Sequence, residues 1–296
     1  MGTDSAPLRL ATRGSRQALA QARVVADSVA AVGERSVELV LIETTGDIRQ
    51  DAPLHSIGGQ GVFVKEVQRA VLDGRADFAV HSAKDLPSDL APGLSIAAFT
   101  ERRNPHDVLV GSTLDALGEG ATVASGSVRR RAQLAAVRPD LRFVELRGNI
   151  DTRLSKIPGG GAIVMALAAL EILEMTDRVD EVLPTERFVP AVGQGCVAVE
   201  CRSDDMVTAS AVATVDHLAT RRRVEVERAF LAELGSGCSL PVGGHVHADE
   251  LHVFLADPER HRAVADVIAL SGAAADHHRD LATASAAATD LRERLG

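Results

Sequence analysis

Two rhythms of apolar residues alternate along the 296-residue chain. Short runs such as "LRLAT" (8–12), "VELVLIETT" (37–45) and the start of "DFAVHSAKDLP" (77–87) read as strands, the last stopping at a polar turn. Between them the apolar positions take helical spacing. Ser15 is placed to cap a helix in which Ala18, Leu19, Ala22, Val25, Ala26 and Val29 make one stripe. A glycine-rich segment, "IGGQG" (57–61), leads to a second helix through "VFVKEVQRAVLD" (62–73). Strands alternating with helices predict a mostly parallel sheet covered on both faces.

The rhythm repeats after about residue 105. "TVASG" is a strand, "SVRRRAQLAAVR" a helix, "LRFVELR" a strand and "NIDTRLSKI" a helix, and "GAIVMALAALEIL" reads as a strand running into a helix. "VPAVGQGCVAVECR" (189–202) brings another strand. From about residue 217 the texture changes to the helix "TRRRVEVERAFLAEL", alternating stretches at 242–256 and an Ala-rich terminal helix. The expectation is α/β: two similar α/β units followed by a small α+β domain.

Composition narrows the function. Tryptophan and tyrosine are absent, so the cores are aliphatic, and the formal charge of −9 argues against a nucleic-acid binder. No apolar run reaches the roughly 18–20 residues needed to span a bilayer. "MGTDSAPLRLATRG" lacks a signal-peptide core. A soluble cytoplasmic protein without membrane or nucleic-acid partners is expected. Of the three cysteines, Cys196 and Cys201 stand at odd separation in an alternating strand and read as buried structural thiols. Cys238 differs, because "LGSGCSLP" (234–241) surrounds it with turn formers.

Three clusters could carry chemistry. Within an acidic chain, Arg129, Arg130, Arg131, Arg138, Arg142, Arg147, Arg153 and Lys156 crowd into 127–156. Ser127 caps the helix bearing the first of them, so side-chain charge adds to the positive helix end, an anion site unless the face is merely solvated. "TRRRVEVER" (220–228), with charges alternating in sign, reads instead as an exposed salt-bridged helix. Asp85 follows a buried strand and precedes a proline turn; it is a candidate proton donor or cation stabiliser, or a turn cap. His245, His247 and His252 lack a Cys or acidic partner at metal-ligand spacing, so no metal is expected.

Six stretches in succession resemble the porphobilinogen deaminase family: "RLATRGSRQALAQA", "GVFVKEVQRAVLDGRADFAVHSAKDLP", "SVRRRAQLAAVRPDL", "LRGNIDTRLSKI", "VPAVGQGCVAVECR" and "ERAFLAELGSGCSLPVG". The resemblance covers nearly the whole chain. It implies two domains like those of periplasmic binding proteins, 1–100 with 196–214 and 101–195, and a third domain, 215–296, presenting Cys238 to the cleft between them. It further implies a dipyrromethane cofactor on Cys238 through a thioether, for which a thiolate is an apt nucleophile. Four porphobilinogen molecules then add in turn, and hydrolysis frees linear hydroxymethylbilane in tetrapyrrole (haem) synthesis.

By the same carry-over Asp85 is catalytic, assisting departure of ammonia and holding pyrrole nitrogens. Cys238, Lys84, Asp85, Ser127, Arg129, Arg130, Arg147 and Gly148 bind the cofactor. Arg13, Ser15, Phe63, Arg147, Arg153 and Gln194 bind substrate. The family is usually monomeric. A non-catalytic anion-binding module is the competing class, since the bilobed plan serves both.

The chain departs from the family pattern at several positions. Ile172 stands where an arginine is usual, Gln60 where a lysine is common, and Gly126 replaces a hydroxyl residue before Ser127. The loop between Ile157 and Ala162 is shortened. Weakened or altered handling of the growing chain is the expectation.

Overall fold

The computed structural model describes residues 6–33, 35–44, 64–235 and 241–296. The chain divides into two compact units, Met1–Arg102 with Cys196–Arg221, and Arg103–Gly195 with Arg222–Gly296.

The first unit opens with β1 (Leu8–Arg13), α1 (Arg16–Val32) and β2 (Val37–Ile42). It continues with α2 (Lys65–Leu72), β3 (Phe78–Ser82) and β4 (Leu94–Phe99). β1 pairs in parallel with β2 and β3. The chain returns much later as β10 (Val197–Arg202), which enters antiparallel between β3 and β4. α1 follows the predicted stripe: Ala22, Val25, Ala26 and Val29 are buried against Leu8, Leu10, Phe78 and Val199. Cys201 lies in that core, where burial pushes its thiol pKa up. Cys196 is buried as well.

The second unit begins with β5 (Asp107–Val110), β6 (Thr122–Ala124), α3 (Val128–Val137) and β7 (Arg142–Val144). Next come α4 (Ile150–Leu154), β8 (Ala162–Ala166), α5 (Leu167–Glu171) and β9 (Glu181–Leu183). Its sheet runs β7-β6-β8-β5-β9, beside β2-β1-β3-β10-β4 in the first. The two plans coincide: three parallel strands, then one antiparallel strand taken from outside the local βαβ run, then an edge. β8 is buried at every position, as a strand covered on both faces requires. β7 is an edge strand, shorter than the "LRFVELR" run.

After β10 come α6 (Met206–Val212) and α7 (Leu218–Glu233), then β11 (Val242–His247), β12 (Glu250–Asp257), β13 (Arg262–Ala269) and α8 (His277–Leu295). β11 to β13 form an antiparallel meander against which α7 and α8 pack Phe230, Leu234, Ala288 and Leu291. The exposed salt-bridged reading of "TRRRVEVER" needs correction. Val224, Val226 and Glu227 of α7 are buried, and Arg221 turns back to Asp216 at 2.8 Å and to the Ala97 carbonyl. No helix among the described residues is long and apolar enough to cross a membrane.

Candidate functional site

In the first unit β1 and β3 run side by side in the same direction, so their C-terminal ends open at one edge of the sheet, the usual ligand edge of such folds. Ser15 Oγ there accepts from the Ala18 amide at 3.3 Å, capping α1 and fixing its positive end at this edge. β3 gives way to a single tight turn, Ala83–Asp85, closed by the Leu86 amide donating to the Ala83 carbonyl. The result is a cavity of about 60 Å³ lined by Arg13, Ser15, Gln17, Gln21, His81 and Asp85, among others. Arg13, Ser15 and Asp85, expected to act together, thus share one pocket although the third is some seventy residues away in sequence. Lys84, beside Asp85, is half-buried. Phe63 and Gln60 lie outside the described residues.

Two polar residues of this region escaped sequence reasoning. His81, on the pocket wall, brings Nε2 to 3.1 Å from Glu200 Oε2, and Gln68 Nε2 donates to both Glu200 oxygens at 2.9 and 3.1 Å. The sequence signal was a polar residue within each of two largely apolar strands.

In the second unit the arginine cluster is built around a residue that had not been singled out, Asp107, which opens β5. Arg129 Nη1 lies 2.8 Å from Asp107 Oδ2 and donates to the Val189 carbonyl at 2.7 Å. Arg130 grips Oδ1 with Nε at 3.0 Å and Nη2 at 2.7 Å, and Nη1 reaches the Val164 carbonyl. Burial alone would raise the Asp107 pKa, but the charges of Arg129 and Arg130 and their hydrogen bonds outweigh it and hold the carboxyl well below the usual carboxylate range. Burial lowers the Arg129 pKa, an effect that Asp107 only partly offsets. The trio carries one net positive charge. Arg129 and Arg130, expected at cofactor carboxylates, are largely buried and paired with Asp107.

Gln194 joins the same network. Expected at the substrate, it is 1% exposed, and its amide nitrogen donates to the Pro105 carbonyl at 2.6 Å and Asp107 Oδ1 at 2.9 Å. Arg131 and Arg138 pair with Glu145 and Asp140.

Arg147 is different. It stands half-buried after β7, and its Nη1 is buried without a hydrogen-bond partner. Gly148, next to it, has φ +112°, and a Cβ there would come 2.6 Å from Thr152 Cγ2. Arg153 reaches back from α4 to donate to the Gly148 carbonyl at 2.8 Å. Asn149 caps α4, and Ser127 caps α3 by accepting from the Arg130 amide.

Cys238 lies outside the described residues, in the connection between α7 and β11. On α7 the fully buried Glu227 accepts from the Gly193 amide and the Val246 amide, each at 2.8 Å, with His245 Nδ1 at 3.4 Å. Among the described residues no group of three or more His, Cys, Asp or Glu side chains is arranged to hold a metal ion.

Comparison with known proteins accords with this layout. The family model "Porphobilinogen deaminase, dipyromethane cofactor binding domain" matches residues 8–210, and "Porphobilinogen deaminase, C-terminal domain" matches 221–294. A protein named porphobilinogen deaminase from Nitratidesulfovibrio vulgaris is 48% identical over 245 residues, covering 80% of this chain and 78% of its own. Its namesake from a Roseiflexus species is 46% identical over 252 residues, covering 82% and 83%. A TRAP periplasmic solute binding protein from Desulfovibrio salexigens overlaps 71% of this chain and 72% of its own at 10% identity and a TM-score of 0.42, too loose a likeness to argue from. With both family models matched in order along nearly its full length, the chain belongs to the porphobilinogen deaminase family.

Proposed function

We propose that the chain is a hydroxymethylbilane synthase. It deaminates four porphobilinogen molecules in turn, extends a dipyrromethane primer carried by Cys238, and releases linear hydroxymethylbilane by hydrolysis for tetrapyrrole synthesis. The observation that carries this reading is the small cavity gathering Arg13, Ser15 and Asp85 at the strand ends of the first unit. A guanidinium, a helix N-terminus and a carboxylate meet there, as a substrate with acidic side chains and a cationic reacting centre requires.

The second unit suits a primer bearing acetate and propionate groups. The buried, unpartnered Nη1 of Arg147 lacks an acceptor, and a carboxylate oxygen is the acceptor a guanidinium takes best. Gly148, beside it, takes a left-handed backbone with Thr152 packed where a side chain would stand. When bound, dipyrromethane supplies an anchored, electron-rich pyrrole carbon for chain extension. Arg147, Gly148, Ser127 and Lys84 would hold its side chains, with the net charge of the Arg129–Arg130–Asp107 trio and the remaining N–H groups of Arg130 supporting them. Arg13, Ser15 and Arg153 take substrate carboxylates, and Phe63 flanks the pyrrole ring. The Asp85 carboxylate accepts hydrogen bonds from pyrrole nitrogen and offsets the positive charge that grows on the substrate as ammonia leaves. The working parts are taken as 1–100 with 196–214, 101–195 and 215–296, in a cytoplasmic monomer.

The test compares wild type, Asp85→Asn and Cys238→Ser by intact mass and turnover. Wild type and Asp85→Asn are expected to be heavier by two linked pyrrole units, the increment to be missing from Cys238→Ser, and only wild type to turn over. Near-normal turnover in Asp85→Asn refutes the carboxylate assignment. A wild type that acquires no adduct even after incubation with hydroxymethylbilane refutes the synthase reading.

A further inference from the structure

The buried pair behind the pocket has no part in the mechanism above. His81 lines the cavity near the end of β3, its side chain only 4% exposed, with Nε2 close to Glu200 but off the line of a hydrogen bond. Glu200 stands on β10, where its register partner is Ala79, so it and His81 are diagonal neighbours on one face of the sheet. The charged groups facing His81 are Glu200 from β10, and across the cavity Arg13 from β1 and Asp85 from the following turn; α1 and α2 turn the neutral amides of Gln17, Gln21 and Gln68 this way.

A wholly buried carboxylate needs a compensating proton or cation. Gln68 supplies hydrogen bonds but no charge, and His81 is the ionisable side chain beside the carboxylate. Two apolar side chains would fill the same space between β3 and β10 without that electrostatic cost. The ionisable pair occurs where the sheet borders a cavity with room for about two water molecules. His81 and Asp85 both line that cavity.

We propose that His81, backed by Glu200, is a positioning residue for Asp85: it keeps the carboxylate turned into the cavity where substrate binds. The inference rests on the role given to Asp85 above. Coupling across the cavity predicts that His81 responds when the charge at residue 85 is removed. The first measurement is therefore the NMR titration of His81 in the full-length holoenzyme, wild type against Asp85→Asn. The expected result is a fall of about half a unit or more, roughly a threefold change in protonation constant. An unmoved titration overturns the proposal while leaving the assignment of Asp85 standing. An active Asp85→Asn overturns that assignment instead, and this inference with it.

Kinetics give an independent reading. In His81→Gln, kcat is expected to fall about tenfold or more, with KM for porphobilinogen within about threefold of wild type and the pH profile displaced. A wild-type pH profile, with activity lost only in step with Tm, marks His81 as packing and overturns the proposal. Should His81→Gln not fold, Glu200→Gln serves. A displaced profile supports the pair, and an unchanged one overturns it.

Discussion

Replacing Asp107 by asparagine removes the negative charge on which Arg129, Arg130 and Gln194 converge, while keeping the shape and one oxygen. Asp107 is 1% exposed and both guanidiniums are largely buried, so the variant leaves two cations with no counter-charge at their centre. Breaking a buried ion pair from one side costs about 3–5 kcal/mol, and the retained amide oxygen favours the lower end. At about 2–4 °C per kcal/mol for a unit of this size, Tm of the second unit falls by roughly 6–12 °C. Scanning calorimetry at pH 7 measures the fall directly. The pH dependence follows from the depressed pKa of Asp107 in the folded protein. Its contribution is fully present above the unfolded carboxyl value of about 3.9 and is lost as pH falls toward the folded value. The gap between wild type and variant therefore stays constant from about pH 5 to 8 and narrows below about 4. A drop smaller than about 2 °C at pH 7 would refute the view that this carboxylate organises the arginines.

Two further substitutions probe departures from the family pattern. Gly126→Ser restores a hydroxyl but brings its Cβ to 2.8 Å from the Leu146 carbonyl and 3.0 Å from Glu145 Oε1. The variant is expected to lose about 1–3 kcal/mol in urea unfolding, and stability equal to wild type contradicts the steric reading. Ile172, half-buried at the C-terminal end of α5, is where a basic residue is usual. Ile172→Arg is expected to change the rate of at least one elongation step, read as the distribution of partly extended enzyme species by mass; unchanged rates at every step remove this position from the account.

Much of the architecture was legible because it rests on local pattern. The Ser15 cap and the Ala22–Val29 stripe predicted α1, and short, largely apolar runs predicted β1, β3 and β8. The pocket was legible in part for the same reason: Asp85 closes a buried strand and Arg13 ends another, so a parallel sheet brings them to one edge. What failed depended on partners far apart in sequence. Asp107 looks like any residue entering a strand, yet its partners sit at 129, 130 and 194. His81 and Glu200 each interrupt an apolar run harmlessly until β3 and β10 pair. Glu227 sits in a charge alternation typical of solvated helices, and only the packing of α7 onto the meander reveals it as a buried acceptor.

The strand order of the first sheet also bears on how the protein is made. β4 takes its place only through β10, which lies between it and β3. About a hundred residues separate β4 from β10, so on a ribosome adding some 5–20 residues each second the amino-terminal sheet waits on the order of 5–20 s for its missing strand. The second five-stranded sheet has all its strands once Leu183 has emerged, before β10 exists. Synthesis and completion of the two five-stranded sheets therefore run in opposite orders: the sheet that begins first closes last, and its apolar edge must be shielded meanwhile.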